Sequence, residues 1–353
     1  MISWRLAMAY GFSRRRPCSA LSVVNSPWPF LPSISCAIWQ LSTILRRPYG
    51  PQHSAKCRCT SRCSRARPIS YLSIYLKSQN GCGKYKKAGE TEMSESYTVL
   101  LAPNPSVMTG PGTNTIVLGG GSAGAVVIDP ADENAEHLAA IIRAGEQRGG
   151  IRRILLTHGH PDHVGGAAAL RQRLGAPLYA FSRASVPAAD EELADGASLA
   201  LGDDRLRAIY TPGHSADHLC YLLENEQLLF AGDLISGITT NVIADLFKYL
   251  NSLRRLQSEQ IAEIVPGHGP VIADPQAKIA EYIAHRLQRE RQVLQALESL
   301  GRTATVPALV EHIYVDVEPR LHPVAAYSVK AHLVKLEREG RVKLRGEDSW
   351  QLL

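Results

Sequence analysis

Cysteine is scarce in most of this 353-residue chain, because six of its seven cysteines precede Met93 and only Cys220 follows it. The part after Met93 is therefore not a disulfide-stapled secreted domain, and its composition fits a reducing compartment. Long apolar runs are missing as well, since none approaches the ~20 residues of a membrane-spanning helix. Neither Met1 nor Met93 begins a secretory signal, in which a basic segment precedes a continuous apolar stretch. We expect a cytoplasmic protein with no membrane segment.

Acidic residues are almost absent from residues 1–92, which hold 15 Lys and Arg but only two Glu. No strand or helix period persists there. We favour an upstream extension that does not fold, such as one added by a wrongly chosen start codon. A mitochondrial targeting segment, rich in Arg and Ser, is the second interpretation and would make the location mitochondrial. A nucleic-acid-binding arm and a metal site at Cys57, Cys59 and Cys63, which lack the paired spacing of zinc ligands, are weaker alternatives.

Four potential metal ligands are crowded into the segment HGHPDH. They are His158, His160, Asp162 and His163. The preceding RRILL indicates a short buried strand, and the Gly and Pro of the segment mark a turn. A loop at the carboxyl end of a sheet strand is the usual position of a site in an α/β protein. A lone histidine is more often structural, but this density of imidazole and carboxylate predicts a site for zinc or another divalent metal.

Three later strand ends supply further candidate ligands, which a site for two metals requires. His214 lies in TPGHSADH, Asp233 ends LLFAGD, and His268 lies in EIVPGHG. Each turn is marked by Gly or Pro. Each residue alone is a weak signal, since a strand-terminal Asp is more often a cap or a turn former. Together with the first segment they predict one metal-binding constellation. Asp217 and His218 could orient these ligands, although a plain surface turn explains them equally well.

Strand and helix patterns alternate after residue 93 and predict an α/β layered domain. TNTIVLGG and GAVVIDP indicate strands joined by a Gly-rich hairpin, and ENAEHLAAIIRAGEQR indicates an amphipathic helix. Between Asp233 and His268, DLFKYLNSLRRL has the apolar spacing of another helix. This helix could line a substrate pocket or simply cover the sheet.

The last part of the chain indicates a winged helix, with three helices followed by the hairpin RVKLRGEDSWQLL. The predicted buried face of the first and longest helix carries Ile279, Ile283, Leu287, Leu294 and Leu297. A winged helix is typical of proteins that bind nucleic acid, but the net charge of this module does not indicate such binding. Residues 285–353 hold 11 basic and 9 acidic side chains, and residues 93–284 hold 13 and 22. Packing over an active site explains the module equally well, and so does joining subunits of a homo-oligomer.

The ordered motifs THGHPDH, TPGHSADH, LLFAGD and EIVPGHG resemble those of the metallo-β-lactamase superfamily, over about residues 97–275. The resemblance implies an α/β fold, an αββα sandwich in domain 93–275, followed by an α-helical winged-helix domain in 276–353. It implies two Zn²⁺ or other divalent ions. One ion would be held by His158, His160 and His214, the other by Asp162, His163 and His268, and Asp233 would bridge them. Oxygen-reducing di-iron members of the superfamily carry Glu at the place of His160, so this residue favours a hydrolase.

The implied ligand set predicts the chemistry. Two divalent ions can share a water and lower its pKa to about 7, which makes a bridging hydroxide the nucleophile. Asp162 would be the catalytic residue that holds this hydroxide in line and accepts its proton. No serine or cysteine nucleophile is needed, and Cys220 in HLCYLL is expected to be buried and inert. No substrate-binding residue is predicted.

The segments TNTIVLG, DLFKYLNSL, PGHGPVI and HRLQRERQVL, with the winged helix, resemble one branch of the superfamily. That branch includes a mitochondrial endoribonuclease, which implies a zinc-dependent phosphodiesterase acting on single-stranded RNA. The alternative is a glyoxalase-II-like thioesterase acting on a small-molecule ester or thioester. A third hypothesis is a non-catalytic winged-helix binding protein with a structural metal. Structural zinc sites use four protein ligands, and seven candidates speak against it.

Overall fold

The computed structural model describes residues 91–106, 108–238 and 241–353. The expectations for the basic extension, including Cys57, Cys59 and Cys63, concern residues 1–90, which lie outside the described part. No helix of the described part is long and apolar enough to cross a membrane.

The chain first builds a seven-stranded sheet in which the strands lie side by side in chain order. They are β1 (Thr91–Met93), β2 (Tyr97–Leu101), β3 (Asn114–Gly119), β4 (Ala125–Ile128), β5 (Ile151–Leu155), β6 (Leu178–Ala180) and β7 (Glu191–Glu192). β1 to β4 pair antiparallel, and the pairs from β4 to β7 are parallel. Helices α1 (Ala135–Glu146), α2 (Pro161–Val164) and α3 (Ala167–Leu174) form the crossovers. Asn134 caps α1 by accepting from the amides of Glu136 and His137.

A five-stranded sheet follows, in the order β12-β11-β10-β9-β8. Its strands are β8 (Ser198–Leu201), β9 (Asp204–Tyr210), β10 (Leu219–Leu223), β11 (Leu228–Gly232) and β12 (Glu263–Pro266). β11 and β12 are parallel and are joined by helix α4 (Leu246–Gln257). The helix begins where the Asp245 side chain accepts from the amide of Lys248. Its apolar residues, such as Tyr249 and Leu253, are buried against the sheet, so α4 is a covering helix.

The two sheets pack face to face, and helices cover both outer faces. Leu118 and Val126 of the first sheet meet Tyr221 and Phe230 of the second in the central core. α1 and α3 cover the outer face of the first sheet. α4 and the start of helix α5 (Pro275–Ser299) cover the second. The predicted αββα sandwich is confirmed.

The C-terminal module is the predicted winged helix. After α5 come β13 (Thr303–Thr305), α6 (Val306–Ile313), α7 (His322–Arg338), β14 (Val342–Arg345) and β15 (Ser349–Leu352). The wing has three strands rather than a hairpin alone, because β13 pairs with β15. Leu309, Val329, Leu333 and Trp350 form its separate core. The domain boundaries at residues 92/93 and 275/276 stay predictions. Strand β1 lies at the first of them, and helix α5 begins at the second.

The buried face of α5 differs from the apolar face predicted for it. Ile283 and Leu287 are only half-buried, whereas Arg286 and Glu290 are buried. Glu290 accepts a hydrogen bond from Lys335 of α7 at 2.7 Å. A charged side chain is tolerated in such a place when a partner compensates it. Apolar periodicity therefore located this helix but missed the charged residues that its neighbours draw inwards.

The winged helix packs against the sandwich through α4. An ion pair joins Arg338 at the end of α7 to Asp245, with Nη1 and Oδ2 3.0 Å apart. Arg286 of α5 donates from Nη2 to the carbonyl oxygen of Asn241 at 2.8 Å. The module therefore contacts the segment that leads from β11 into α4.

Candidate metal centre

The structure brings all seven predicted side chains together at one edge of the sandwich. They follow β5, β9, β11 and β12, so each lies in a loop where a strand has just ended. Their ligand atoms form two groups, in each of which the atoms lie within 4.8 Å of one another. The first group is His158, His160, His214 and Asp233, and the second is Asp162, His163 and His268. Each group could hold a metal ion.

Asp233 lies between the two groups. Its Oδ1 is 3.4 Å from His163 Nε2 and 3.2 Å from His268 Nε2. Its Oδ2 is 3.4 Å from His214 Nε2, on the side of the first group. The two oxygens of one carboxylate thus face the two groups separately, which is the arrangement that a bridging ligand needs.

The histidines of the first group are held in the neutral form that binds metal. His160 Nδ1 lies 2.8 Å from His158 Nε2 and 2.9 Å from His214 Nε2. His214 Nδ1 donates to the carbonyl oxygen of Val242 at 2.8 Å, which leaves Nε2 to face the site. Burial and the neighbouring histidines lower the pKa of His158 well below its ordinary value and that of His160 to about 4. These imidazoles are therefore unprotonated at neutral pH.

The second group is dominated by carboxylates. Burial alone would lower the pKa of His163, but Asp233, Asp129 and Asp162 raise it well above its ordinary value. At His268 burial also lowers the pKa, but Asp233 and Asp162 outweigh it and raise the pKa to about 9. Burial raises the pKa of Asp162, but His163 and His268 together outweigh it and lower this pKa to about 2. This group therefore attracts positive charge, which a metal ion supplies in place of protons.

Two buried atoms of the site have no hydrogen-bond partner among the described residues: His163 Nε2 and Asp233 Oδ1. Folded proteins rarely leave buried polar atoms unpaired, and a divalent cation would satisfy both. Gly267 leaves room for them, because a Cβ there would lie 2.9 Å from His163 Cε1 and 3.0 Å from Asp233 Oδ1. Imidazole nitrogen and carboxylate oxygen are also zinc's usual donors. The residues present fit a pair of divalent ions.

Asp129 is a functional residue that the sequence analysis missed. Its carboxylate accepts from His163 Nδ1 at 2.8 Å, from the Thr157 amide at 2.8 Å and from Thr157 Oγ1 at 2.6 Å. Thr157 Oγ1 also lies 3.0 Å from His158 Nδ1. One carboxylate thus orients a histidine of each group, as partners of metal ligands commonly do. Its signal was available, since Asp129 ends a strand in GAVVIDP as Asp233 does in LLFAGD.

The backbone at Asp129 is left-handed, with φ of 50°. Such a conformation costs a non-glycine residue about 1–3 kcal/mol and persists only where its surroundings fix it. Here the amide of Asp129 donates to Leu155 O at 3.0 Å, and its carbonyl accepts from Thr115 Oγ1 at 2.7 Å. The fold therefore holds this carboxylate in place before any ligand arrives.

Asp217 and His218 position the ligand loops and do not form a plain surface turn. Both are buried. Asp217 Oδ2 accepts from the Gly159 amide at 2.9 Å, and His218 Nε2 accepts from the Asp233 amide at 3.1 Å. His218 Nδ1 therefore carries the proton and donates to Thr211 Oγ1 at 2.9 Å. As expected, Cys220 is buried and unreactive, because burial raises the pKa of its thiol to about 12.

Two family models match the chain. Residues 108–268 match the metallo-beta-lactamase superfamily, and residues 305–350 match the beta-lactamase associated winged helix domain. The first match contains all seven residues of the candidate metal centre.

Two relatives resemble the chain over most of their length. The Beta-lactamase-like protein 2 homolog of Drosophila melanogaster is 37% identical over 275 residues, covering 72% of this chain and 92% of the relative. The atrochrysone carboxyl ACP thioesterase of Aspergillus fumigatus is 36% identical over 282 residues, covering 73% and 87%. A beta-lactamase domain protein from Burkholderia ambifaria has a similar structure, with a TM-score of 0.64 at 20% identity over 77% of this chain and 96% of that one. This last likeness concerns the fold alone.

Proposed function

Because this chain belongs to the metallo-beta-lactamase superfamily, we propose that it is a hydrolase that uses two divalent metal ions, expected to be zinc. His158, His160 and His214 would hold one ion, and Asp162, His163 and His268 the other. The observation that carries this proposal is the position of Asp233, whose two oxygens face the two groups separately.

When bound, the two ions would supply an ionised water at neutral pH and would offset negative charge on the substrate oxygens. The protein's own part is to fix the ligands and to handle the proton. Asp129 orients His163 directly and His158 through Thr157. We assign to Asp162 the role of accepting the proton of the attacking water, because its side chain is 30% exposed and that of Asp233 only 10%. Asp162 can therefore meet a water from the open side, align it and accept its proton.

We propose an acyl thioester as the substrate class. Support comes from the Aspergillus fumigatus relative, whose name describes a thioesterase acting on an acyl carrier protein. The net charge also favours a thioester over RNA, because residues 93–353 hold 24 basic and 31 acidic side chains. A net charge of −7 repels a polyanion rather than steering it in.

Single-stranded RNA is the second candidate substrate. The winged-helix module favours it, because this architecture often contacts nucleic acid. The non-catalytic hypothesis is weaker than both, since a structural zinc site would leave three of the seven clustered ligands without a purpose.

The test uses the full chain loaded with zinc. Release of free thiol from an acyl-glutathione and an acyl-coenzyme A is measured beside cleavage of an end-labelled single-stranded oligoribonucleotide. We expect thiol release. Asp162→Asn, assayed in protein that elemental analysis shows to hold two metal ions, should lower kcat by roughly 10²- to 10⁴-fold, the usual contribution of a proton-transferring group. Asp203→Asn, at an exposed turn, is the matched control.

RNA cleavage without thiol release would transfer the assignment to the second candidate. Two bound metal ions with no turnover of either substrate class would refute the proposal.

A further inference from the structure

A basic cluster lies between helices α5 and α7, outside the metal centre. It consists of His285, Arg286 and Arg289 on α5 and of His332 on α7. Arg286 is only 5% exposed and His332 only 1% exposed, whereas His285 and Arg289 are half-buried. The cluster therefore has a buried base and a side that solvent can reach.

Several polar atoms of the basic cluster have no hydrogen-bond partner among the described residues. Both ring nitrogens of His332, Nε of Arg286 and Nδ1 of His285 are buried and unpaired. Unpaired buried polar atoms are rare in folded proteins, and each one requires an explanation. Arg286 Nε is always a donor, and His332 carries at least one N–H, so the cluster lacks a partner that accepts hydrogen bonds.

Within the described part of the chain, the basic cluster also lacks an unpaired counter-charge. Burial and the surrounding cations, Arg286 first, lower the pKa of His332 to about 3. The carboxylates nearby are already engaged. Glu290 pairs with Lys335 at 2.7 Å, and the exposed Glu281 pairs with Lys278 at 3.0 Å. Positive groups gathered in a poorly solvated place repel one another unless an anion joins them.

Hydrogen bonds connect the basic cluster to the metal centre through residues 241 and 242. Arg286 Nη2 donates to the Asn241 carbonyl oxygen at 2.8 Å, and the Asn241 side chain donates to the carbonyl oxygen of Asp233. The next residue, Val242, accepts from His214 Nδ1. The basic cluster and the metal centre are therefore linked through one short segment.

The rim residue Arg289 is held ready for such a group. Its guanidinium carbon lies 4.4 Å from the centre of the Tyr314 ring, which fixes the side chain without neutralising its charge. A planar guanidinium suits the two oxygens of a phosphate or carboxylate.

We propose that the basic cluster binds an oxyanion, a phosphate or a carboxylate, which the substrate carries. The inference rests on the proposed hydrolase, and it narrows the substrate to one that has an anionic group as well as an ester or thioester. His332 and Arg286 donate from the base, and Arg289 donates from the rim.

The first experiment measures binding alone. Inorganic phosphate is titrated by calorimetry into the zinc-loaded full chain, Arg289→Gln and Arg291→Gln. Arg291 is the matched control, because it is exposed on the same helix two residues further along. We expect Arg289→Gln to weaken phosphate binding about tenfold, the loss of one charge-assisted pair, and Arg291→Gln to leave it unchanged. Equal binding in all three proteins would overturn the proposal, since phosphate would then bind only between the metal ions.

The second experiment separates the two kinds of oxyanion. Succinyl and butyryl thioesters of N-acetylcysteamine differ in a carboxylate, and acetyl-phosphopantetheine and acetyl-pantetheine differ in a phosphate. In one of these pairs Arg289→Gln should raise KM about tenfold for the anionic member and leave the neutral member unchanged. His285→Gln is a second variant at the rim. An equal effect on both members of each pair would contradict the proposal, because it would show that Arg289 only positions residues 241 and 242.

The two experiments fail independently. If no thioester is hydrolysed, the proposed function is wrong, while the phosphate titration still decides whether the basic cluster binds an anion.

Discussion

The metal centre and the basic cluster concentrate opposite charges, and both contact the short segment at residues 241–242. The metal centre gathers three carboxylates, Asp129, Asp162 and Asp233, around its histidines and calls for cations. The basic cluster gathers guanidinium and imidazole groups with no free carboxylate. The segment at 241–242 touches both. The comparison suggests a site that binds a metal on one side and a negatively charged substrate group on the other.

The two regions differ in how firmly they are held without a ligand. In the metal centre His163 and His214 each donate their second nitrogen to a fixed oxygen, at Asp129 and Val242. In the basic cluster His332 has no such partner among the described residues. The metal centre is therefore preorganised by the fold, and the basic cluster depends on what it binds.

The largest expected effect comes from removing the carboxylate that joins the two metal groups. Asp233→Asn keeps the shape but removes the negative charge and replaces one of the two oxygens with an NH₂ group, so the second ion should be lost. We expect at least a ~10³-fold loss of kcat/KM, which exceeds the 10- to 100-fold loss typical when a hydrogen-bond partner of a metal ligand is mutated. Elemental analysis should find about one zinc per chain. Phosphate binding to the basic cluster should persist. A variant that kept two ions would show that Asp233 does not bridge them.

The next effect concerns the helices that carry the basic cluster. Glu290→Gln removes the buried counter-charge of Lys335, and breaking such a pair costs about 3–5 kcal/mol. The loss should lie at the lower end, because Lys335 Nζ keeps Glu339 as a partner at 2.7 Å. We expect roughly 3 kcal/mol of lost stability in denaturant unfolding with unchanged zinc content. Glu298→Gln on the same helix is the control, because its carboxylate is 58% exposed and its ion pair is worth little. Similar losses in both variants would contradict a special role for the buried pair.

The smallest effect should come from Asp129, which accepts a hydrogen bond from the candidate metal ligand His163. Asp129→Asn tolerates the left-handed backbone and can still accept from the Thr157 amide, but it loses the charge that faces His163. We expect zinc affinity to fall by about 10- to 100-fold, or 1.4–2.7 kcal/mol, measured by competition with a chelator. Asp132→Asn, in the same loop but hydrogen bonded to the Asn134 amide, should bind zinc normally.

Periodicity predicted the α/β layers and the winged helix, and the family resemblance implied the αββα sandwich. The gathering of the seven side chains could be predicted for a physical reason. His158, Asp233 and His268 stand where a strand has just ended, and Gly or Pro marks each turn. Parallel strands of each sheet deliver their carboxyl ends to a common edge, and the packing of the two sheets brings the two edges together. Position at a strand end therefore already indicated position in space.

The basic cluster could not be predicted in the same way. Arg286 lies on a helix whose apolar spacing suggested another buried face, and its neighbour Asn241 is 45 residues away in sequence. Asp129 was missed for a different reason, since a single strand-terminal Asp is usually a turn former. Its role depends on Thr157 and His163, which reach it only after the chain has crossed α1.

The wide spacing of His158 and His268 has a consequence for folding. They come from different sheets, and 110 positions separate them in the chain. Contacts of such high sequence separation form late, because long loops must close first. A nascent chain released before residue 268 cannot assemble the centre, so uptake of the second ion would mark the moment at which the sandwich closes.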